Sequence, residues 1–585
     1  MLHSLDCQAQ LQAKRAAALC VLKFGSSVVR DERDFPRVVQ EIYAHVRQGE
    51  KVVAVVSALA GETDALLAEA LRVGGEGAPA PLVARLARVG ELRSAALLSL
   101  ALAKVGVRVA TLDPHEMKLV AEGPALDSNL VDVDAAHVLD ELARHEVVVV
   151  PGFIADHAEH GVVTLGRGGT DLSAVFFADR LAAHRVRLIK DVDGVYDADP
   201  ASAAGAHRFE QLSYAEAEVA SDGLIQDKAI RVAAEKKVLI EVAALGGGEA
   251  TTISDVAAKH SKPVRADVVR VALLGCGAVG GGVLQLLQDQ PELFEVGPVL
   301  VKQPRDAKPG EFTHHLDEAL AGEPELLVEL IGGNDLAADA MHQALSRGAE
   351  VVTGNKAALA RHWDSLHACA ARHGGGLRFS AAVGGGAPIV ETLRRLEGEV
   401  ASVEGVMNGT CNFLLSRLGE GWEFDRALAV AQELGFAEAD PSGDVDGNDA
   451  ADKLSILVRE AFGVALPPQQ IAKQSLRDLA PSAAAEAKQR GEVLKQVGRC
   501  WLGEDGSPLA EVRVVALPAS HALANVHNEE NRFLVEDRAG NLHQVHGKGA
   551  GRWPTATAVL ADVLDARAAI LRKAKPARSP LKLSA

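Results

Sequence analysis

Cysteine is scarce in this chain. The six residues Cys7, Cys20, Cys276, Cys369, Cys411 and Cys500 are scattered through 585 positions with no CxxC pair and no histidine-bracketed spacing. That pattern argues against a disulfide scaffold or a structural zinc site and for a reducing compartment. Positive charge is also in deficit: 61 Lys+Arg face 79 Asp+Glu, a formal net charge of −18. Broad binding to nucleic acid or to an anionic membrane needs clustered Lys and Arg, so neither partner is expected. No apolar run approaches the ~20 residues that cross a bilayer. The run AALLSLALA (95–103) ends at Lys104, and AAALCVL (16–22) runs straight into Lys23. The latter, with no small-residue cleavage pattern, reads as entry to a first strand and not as a secretory signal. The expectation is a soluble, cytoplasmic protein.

Hydrophobic residues make up 48% and charged residues 24%, the balance of an ordinary globular chain long enough for several domains. Aliphatic runs alternate with Ala/Leu/Arg-rich stretches: CVLKFG (20–25), KVVAVVSALA (51–60), VVVVPGFI (147–154) and RVRLIKDVDGVY (185–196). Continuous β-branched runs separated by helices predict an α/β fold with a largely parallel sheet covered on both faces. The pattern loosens at GGGEATTISDVAAKHSKP (246–263), and a fresh βα unit opens at ADVVRVALLGCGAVGGGVLQLLQ (266–288). A domain boundary is expected near 255–265. The basic, Pro-containing tail RKAKPARSPLKLSA (572–585) reads as a frayed terminus.

The strongest single motif is Gly275-Cys276-Gly277-Ala278-Val279-Gly280, after a strand and opening a helix. In that setting the first glycine makes the tight turn, the second lets backbone approach a pyrophosphate, and the third lets helix and strand pack closely. An NAD site carries an acid roughly 20 residues onward for the ribose hydroxyl. Here the next strand, EVGPVLVKQPRDA (295–307), is closed by no acid, while Lys302 and Arg305 sit where a 2′-phosphate would be met. This favours NADP, with NAD as the alternative.

Further on come ELIGG (329–333), VVTGNKAALA (351–360), FSAAVGGGAPIVETL (379–393), GVMNGTCNFLL (405–415) and LGFAEADPSGDVDGNDAADKLSIL (434–457). In NDAADKL, Asn448 reads as a helix N-cap, and Asp449 and Lys453 lie four apart on one helical face. Carboxylates crowd this stretch, as a ligand bearing an ammonium group requires. Lys453 and Lys356 are the cations available to meet negative charge that develops on a reacting group.

Through GKGAGRWPTATAVLADV (547–563), this half resembles homoserine dehydrogenase, which reduces aspartate 4-semialdehyde with NADPH or NADH. The resemblance implies Lys453 as proton donor with Asp449 beside it, and Lys356 between nicotinamide and substrate. It implies Glu438 and Asp444 on the substrate amino group, with Gly409 and Thr410 lining the pocket and Gly333 near the cofactor. The family also binds a monovalent cation, sodium, through main-chain oxygens. Val383, Gly385 and Ala387 match those positions, with Ser380 where an acid is common.

The first half carries Lys23-Phe24-Gly25-Ser26-Ser27, SALAGETDALL (57–67), VGELRSA (89–95), TLGRGGTDLSA (164–174) and KDVDGVYDADP (190–200). Phosphoryl transfer needs positive charge and backbone N–H groups around the γ-phosphate, and Lys23 beside a glycine loop supplies those types. Together the motifs resemble the amino-acid kinase fold, and aspartokinase in particular, over roughly 18–250. The resemblance implies Mg-ATP as co-substrate, with Lys23, Gly25 and Ser26 at the phosphates. It places Arg167 on the aspartate α-carboxylate and Ser57, Thr63 and Glu91 in the same pocket. Asp191, Asp193, Tyr196, Asp199 and Pro200 match the nucleotide loop.

Two departures stand out. KFGSSV replaces the family's KFGGTS, so that Ser26 takes the place of a glycine whose missing side chain lets N–H groups close on phosphate, and Val28 that of a hydroxyl residue. The regulatory ACT domains that usually follow the kinase are absent from the sequence.

The expected fold is thus an amino-acid-kinase-like α/β sandwich followed by a Rossmann domain with an α+β substrate and dimerisation domain. The expected partition is 1–255 kinase-like, 256–266 linker, 267–400 dinucleotide-binding, 401–565 catalytic and 566–585 tail, the C-terminal segment completing the Rossmann part. The expected activity is bifunctional, in a homo-oligomer acting on small molecules. The alternative is a dehydrogenase whose kinase-like half serves assembly or ligand sensing.

Overall fold

Long β-branched runs become the buried strands of two sheets, one in each half of the chain. The computed structural model describes residues 18–200, 203, 206–261, 268–302, 311–434, 436–438 and 440–573. They divide into two units, Met1–Val264 and Arg265–Ala585. Cys7, Arg305, residues 262–266 of the expected linker and residues 574–585 of the tail lie outside the described residues.

In the first unit, nine strands among the described residues form one sheet. Its order is Lys259–His260, Phe209–Ser213, Thr251–Ser254, Ile240–Ala244, Arg185–Lys190, Leu19–Phe24, Lys51–Val56, Val147–Pro151 and Val109–Thr111. Pairing is parallel except where Thr251–Ser254 meets Ile240–Ala244 and at the Lys259–His260 edge. Val52 to Val56 and Val147 to Val150 are wholly buried, as strands covered on both faces must be. The covering helices read as amphipathic: Ala135–Arg144 buries Val138 and Leu142 and is capped by the Asp134 carboxylate, which accepts from the His137 N–H. Tyr214–Ala220 starts with a capping box between Ser213 and Glu216. A smaller sheet, ordered Asn129–Asp132, Val120–Glu122, Ile154–His157 and Gly161–Thr164, completes the unit.

The second unit holds a parallel sheet ordered Phe312–Thr313, Val299–Leu300, Val269–Leu274, Leu326–Glu329, Glu350–Thr353 and Gly376–Arg378. The first strand in sequence, Val269–Leu274, sits at the centre, so connections leave it in opposite directions. That reversal opens a crevice at the strands' carboxyl ends between it and Leu326–Glu329, the usual dinucleotide site of doubly wound sheets. The last described helix, Arg552–Lys573, returns to this sheet and packs on the helix Ala278–Gln288, its Arg552 donating to the Gly281 carbonyl. A second sheet, ordered Ala472–Lys473, Pro508–Pro518, Glu492–Leu502, Val400–Val406, Glu530–Asp537 and Leu542–Lys548, is antiparallel except at its Ala472–Lys473 edge. No described helix is long and apolar enough to cross a membrane.

Candidate active sites

In the second unit the strand Val269–Leu274 delivers the glycine turn. Gly275 has φ +96°, and any Cβ placed there would run into the Leu330 carbonyl. A Cβ on Gly280 would strike the Gly275 carbonyl, whereas the space beside Gly277 is open. Ala278 and Val279 begin the helix Ala278–Gln288, whose first N–H groups lack partners within the helix. The turn therefore leaves room on one side only, over a helix N-terminus, which fits a pyrophosphate. Lys302 is exposed just past Val299–Leu300.

The helix Lys356–His373 is capped by the Asn355 side chain, whose Oδ1 accepts from the Ala358 N–H at 3.0 Å. The same Asn355 donates to the carbonyls of Ile331 and Gly333, at 3.0 and 2.6 Å. A lysine at a helix start opposes the helix dipole. Lys356 is offset by Asp449, whose Oδ1 lies 2.9 Å from its Nζ. The other oxygen of Asp449 lies 2.9 Å from Lys453 Nζ, and that ammonium also donates to the Met407 carbonyl at 2.6 Å. Burial alone would raise the Asp449 pKa, but Lys453 and Lys356 outweigh it and hold the carboxyl well below its usual range. The Asp449 charge in turn raises Lys356.

The helix carrying Asp449 and Lys453 runs Asn448–Phe462. Its cap corrects one expectation: Gly447, at φ +77°, occupies the N-cap, and Asn448 is already helical. The chain reverses direction just after the short helix Ser442–Val445, and glycine takes that left-handed turn without a Cβ penalty. Asn408 caps the next wall of the pocket, the helix Gly409–Gly419, through the Cys411 N–H. Its amide also donates to Asp444 at 2.7 Å and Asp449 at 2.9 Å. The Thr410 hydroxyl lies 2.9 Å from Asp444 and 2.5 Å from the Phe436 carbonyl, with one hydrogen to give to either. Glu438 is exposed, its carbonyl accepting from Gln432.

The glycine-rich loop places Val383 and Ala387 in the core, with Gly385 at φ +61° against Gly549. Ser380 is engaged by carboxylates: its hydroxyl lies 2.5 Å from Glu391 and 2.9 Å from Asp562, and its N–H donates to Asp562.

In the first unit Lys23 is 6% exposed, near the end of the central strand, and its Nζ lies 2.8 Å from Asp171. Lys190, closing the neighbouring strand Arg185–Lys190, contacts the other Asp171 oxygen at 2.9 Å. Burial drives the Lys190 pKa down to about 8 against the pull of Asp171. The two lysines overcome burial at Asp171 and lower its carboxyl. Neither Asp171 nor Lys190 was expected from the sequence, although both lie inside flagged motifs. The available signal was a lysine closing an apolar strand, but its adjacency to the Lys23 strand is a property of the sheet.

Glu91 is 2% exposed, and burial, aided by the Glu62 charge, pushes its pKa up to about 8 against Lys23 and the Ala58 N–H. Ser57 precedes that N–H and hydrogen-bonds the Ala58 carbonyl. Tyr196 donates to Asp193 at 2.6 Å, and Asp191 is exposed. Ser26 is exposed and has no positive φ, so the loop imposes no glycine-only conformation on it. Gly25 lies against Lys23, whose Nζ would stand 2.5 Å from any Cβ there. The Arg167 side chain is exposed, its carbonyl accepting from Gln226, and Thr63 is half-buried near the start of the helix Glu62–Gly74. Among the described residues the structure thus gathers Lys23, Asp171, Lys190 and Glu91, and no hydrogen bond or ion pair joins Arg167 or Thr63 to that group.

Residues 388–564 match the family model for homoserine dehydrogenase, and 275–380 that for the homoserine dehydrogenase NAD-binding domain. Residues 18–243 match the amino acid kinase family. A homoserine dehydrogenase of Lactococcus lactis subsp. lactis is 38% identical over 315 residues, covering 51% of this chain and 73% of that protein. One from Synechocystis is 37% identical over 316 residues, with coverages of 51% and 73%. The chain belongs to the homoserine dehydrogenase family. A crystal structure of a homoserine dehydrogenase from Thiobacillus denitrificans is 34% identical, covers 52% of this chain and 73% of its own, and superposes with a TM-score of 0.49. With the kinase match in front, the chain is a fusion of an amino-acid kinase domain and a homoserine dehydrogenase.

Proposed function

We propose that the two halves catalyse separate steps on aspartate-derived substrates: ATP-dependent phosphorylation of the aspartate side-chain carboxylate, and NAD(P)H-dependent reduction of aspartate 4-semialdehyde to homoserine. The observation that carries the second step is the Lys356–Asp449–Lys453 cluster, reached from the dinucleotide turn through Leu330, Gly333 and Asn355. Gly275, Gly277, Ala278, Val279, Gly280 and Gly333 would hold the reduced dinucleotide, which would supply the hydride. Lys453 spends two of its three ammonium hydrogens on Asp449 and Met407, and the third meets the carbonyl oxygen and transfers its proton as negative charge develops. Lys356 adds positive charge beside it. Asp444, oriented by Asn408 and Thr410, receives the substrate ammonium with Glu438, and Gly409 permits close approach. The absence of an acid closing the second strand, with Lys302 and Arg305 beyond it, supports NADP over NAD. The carbonyls of Val383, Gly385 and Ala387 would hold a monovalent cation, the last of them also accepting from the Ile389 N–H, and the protein acts as a homo-oligomer in the cytoplasm.

In the kinase half, Lys23 and Lys190 offset charge on the transferring phosphoryl group while Asp171 spaces them. Glu91 receives the aspartate ammonium and Arg167 its α-carboxylate, with Ser57 and Thr63 beside them. Gly25 and Ser26 present N–H groups to the phosphates of Mg-ATP, and Asp191, Asp193 and Tyr196 border the nucleotide.

The test is a paired assay on one preparation of the whole chain. Aspartate-dependent ADP release and homoserine-dependent NADP reduction are both expected. Loss of the first with the second intact would leave the kinase-like half as an assembly or sensing module. Failure to oxidise homoserine would overturn the dehydrogenase assignment.

A further inference from the structure

We infer that Glu329 is a positioning residue for the dehydrogenase, its buried carboxyl fixing both the loop against which the dinucleotide turn packs and the helix start that presents Lys356. This deepens the dehydrogenase reading and rests on it. Glu329 closes the strand Leu326–Glu329, next to the strand that leads into Gly275, and is 0% exposed. One carboxyl oxygen accepts from the Thr353 hydroxyl at 2.5 Å and the other from the Ile331 N–H at 2.9 Å. Thr353 Oγ1 in turn accepts from the Asn355 N–H at 3.0 Å, and the Asn355 amide returns to the Ile331 carbonyl at 3.0 Å. Glu329, Thr353, Asn355 and Ile331 therefore close a ring of hydrogen bonds across the ends of two adjacent strands.

Both working parts of the site hang on that ring. Leu330 stands where Gly275 would carry a Cβ, so the loop sets the floor of the pyrophosphate turn. Asn355 caps the helix whose first residue, Lys356, reaches Asp449. A buried carboxyl is expensive to keep unless its bonds are needed. An apolar residue would fill this strand end without that cost but would leave the Ile331 N–H and the Thr353 hydroxyl without their acceptor.

The ring also depends on which proton the carboxyl holds. Ionised, Glu329 accepts from both neighbours. Neutral, it holds a hydrogen of its own, and if that hydrogen turns to Thr353, Thr353 must receive it while already accepting from Asn355, and redirect its own. Burial pushes the carboxyl up to about 7, against the Thr353, Ile331 and Asn355 donors. The flanking strands face it with Leu274 and Thr353 in register. The helices Asp335–Ser346 and Arg552–Lys573 also pack on this strand. The former carries Asp335, Asp339 and His342, and the latter Arg552, Asp562, Asp565, Arg567, Arg572 and Lys573. Lys356, on the adjoining helix, is committed to Asp449.

The experiment is fluorescence titration of the full chain with NADPH alone, from about pH 6 to about pH 9 so as to bracket the carboxyl, beside kcat and KM for homoserine oxidation. Glu329→Gln is the main variant; Thr353→Val serves if the glutamine protein does not fold, and Thr353→Ser is the rescue. Both disruptive variants are expected to weaken NADPH binding roughly tenfold above neutral pH, the loss of one hydrogen bond to a charged group. KM should rise more than kcat falls. The wild-type pH dependence of binding should vanish in Glu329→Gln and persist in Thr353→Ser. Unchanged NADPH affinity and pH profile in either disruptive variant, folded, would overturn the inference, as would a Thr353→Ser protein as weak as Thr353→Val. A wild-type chain that binds NADPH yet fails to oxidise homoserine would sink the dehydrogenase reading while the binding comparison still decides the role of Glu329.

Discussion

Asp449 and Lys453 sit one turn apart on a helix, 2.9 Å between their charged atoms, yet they do not form the exposed bridge that such spacing usually gives. Lys453 is buried and the Asp449 side chain is only 13% exposed, and the second carboxylate oxygen is taken by Lys356 from another helix. An exposed pair of this kind contributes about 0.3–0.5 kcal/mol. A buried one is worth little as a source of stability, but removing one partner costs about 3–5 kcal/mol, because the remaining charge stays desolvated. Two lysines share this one carboxylate, and Asp444, joined to Asp449 through the Asn408 amide, adds a negative charge that a substrate ammonium would offset.

Lys453→Met keeps the length of the side chain and removes the charge. Homoserine oxidation is expected to fall at least ~100-fold, the usual scale for loss of a positioned acid, while NADPH titration of the same protein remains close to wild type. Unchanged kcat in the folded variant would refute the proton-donor role. Asp449→Asn should lose both activity and stability, since it leaves two lysine side chains facing a neutral amide.

In the kinase half, Asp171 separates Lys23 from Lys190. Asp171→Asn removes the charge that lets two buried ammonium groups stand together, at a cost of about 3–5 kcal/mol. Urea unfolding of the whole chain should show an earlier transition for the kinase-like unit and an unmoved one for the dehydrogenase unit. A single unshifted transition would contradict the account.

Much of this was legible because the physics is local. Valine runs such as Val147 to Val150 announced strands buried on both faces, and Gly275 and Gly280 announced a turn where only hydrogen fits. The Asp449–Lys453 pairing followed from helical period alone. Its third member, Lys356, could be named as an available cation, but nothing in the spacing brings residue 356 to residue 449. Lys190 and Asp171 escaped for the same reason: the register of Lys23 with Leu188 makes neighbours of segments far apart in sequence. Asn448 was misassigned as the cap because asparagine favours that position, whereas the reversal before it demanded the left-handed conformation that Gly447 supplies.

Ser26→Gly tests the departure from the usual kinase loop. Ser26 is exposed and its backbone is not left-handed, so the serine costs the loop no strain, and glycine would add chain entropy worth about 0.5–1 kcal/mol. Aspartate-dependent ADP release is therefore expected to change by less than roughly tenfold. A larger gain would show that the hydroxymethyl group obstructs the phosphates.

Glu91 makes the kinase half pH-dependent in two opposed senses. Its pKa is raised from 4.5 to about 8, first by burial and then by Glu62. A carboxyl raised on folding lends stability that is complete below the unfolded value of 4.5 and is lost as pH climbs through about 8. The kinase-like unit should therefore weaken over that window, and Glu91→Gln, which cannot ionise, should flatten the dependence. Binding the aspartate ammonium requires the ionised form. The KM for aspartate should accordingly fall as pH rises toward 8, by about tenfold per unit while the carboxyl is mostly protonated. In Glu91→Gln the KM should be high at every pH. A wild-type KM indifferent to pH across this range would remove Glu91 from the substrate site. Since stability and affinity are expected to move in opposite directions, general unfolding cannot imitate the result.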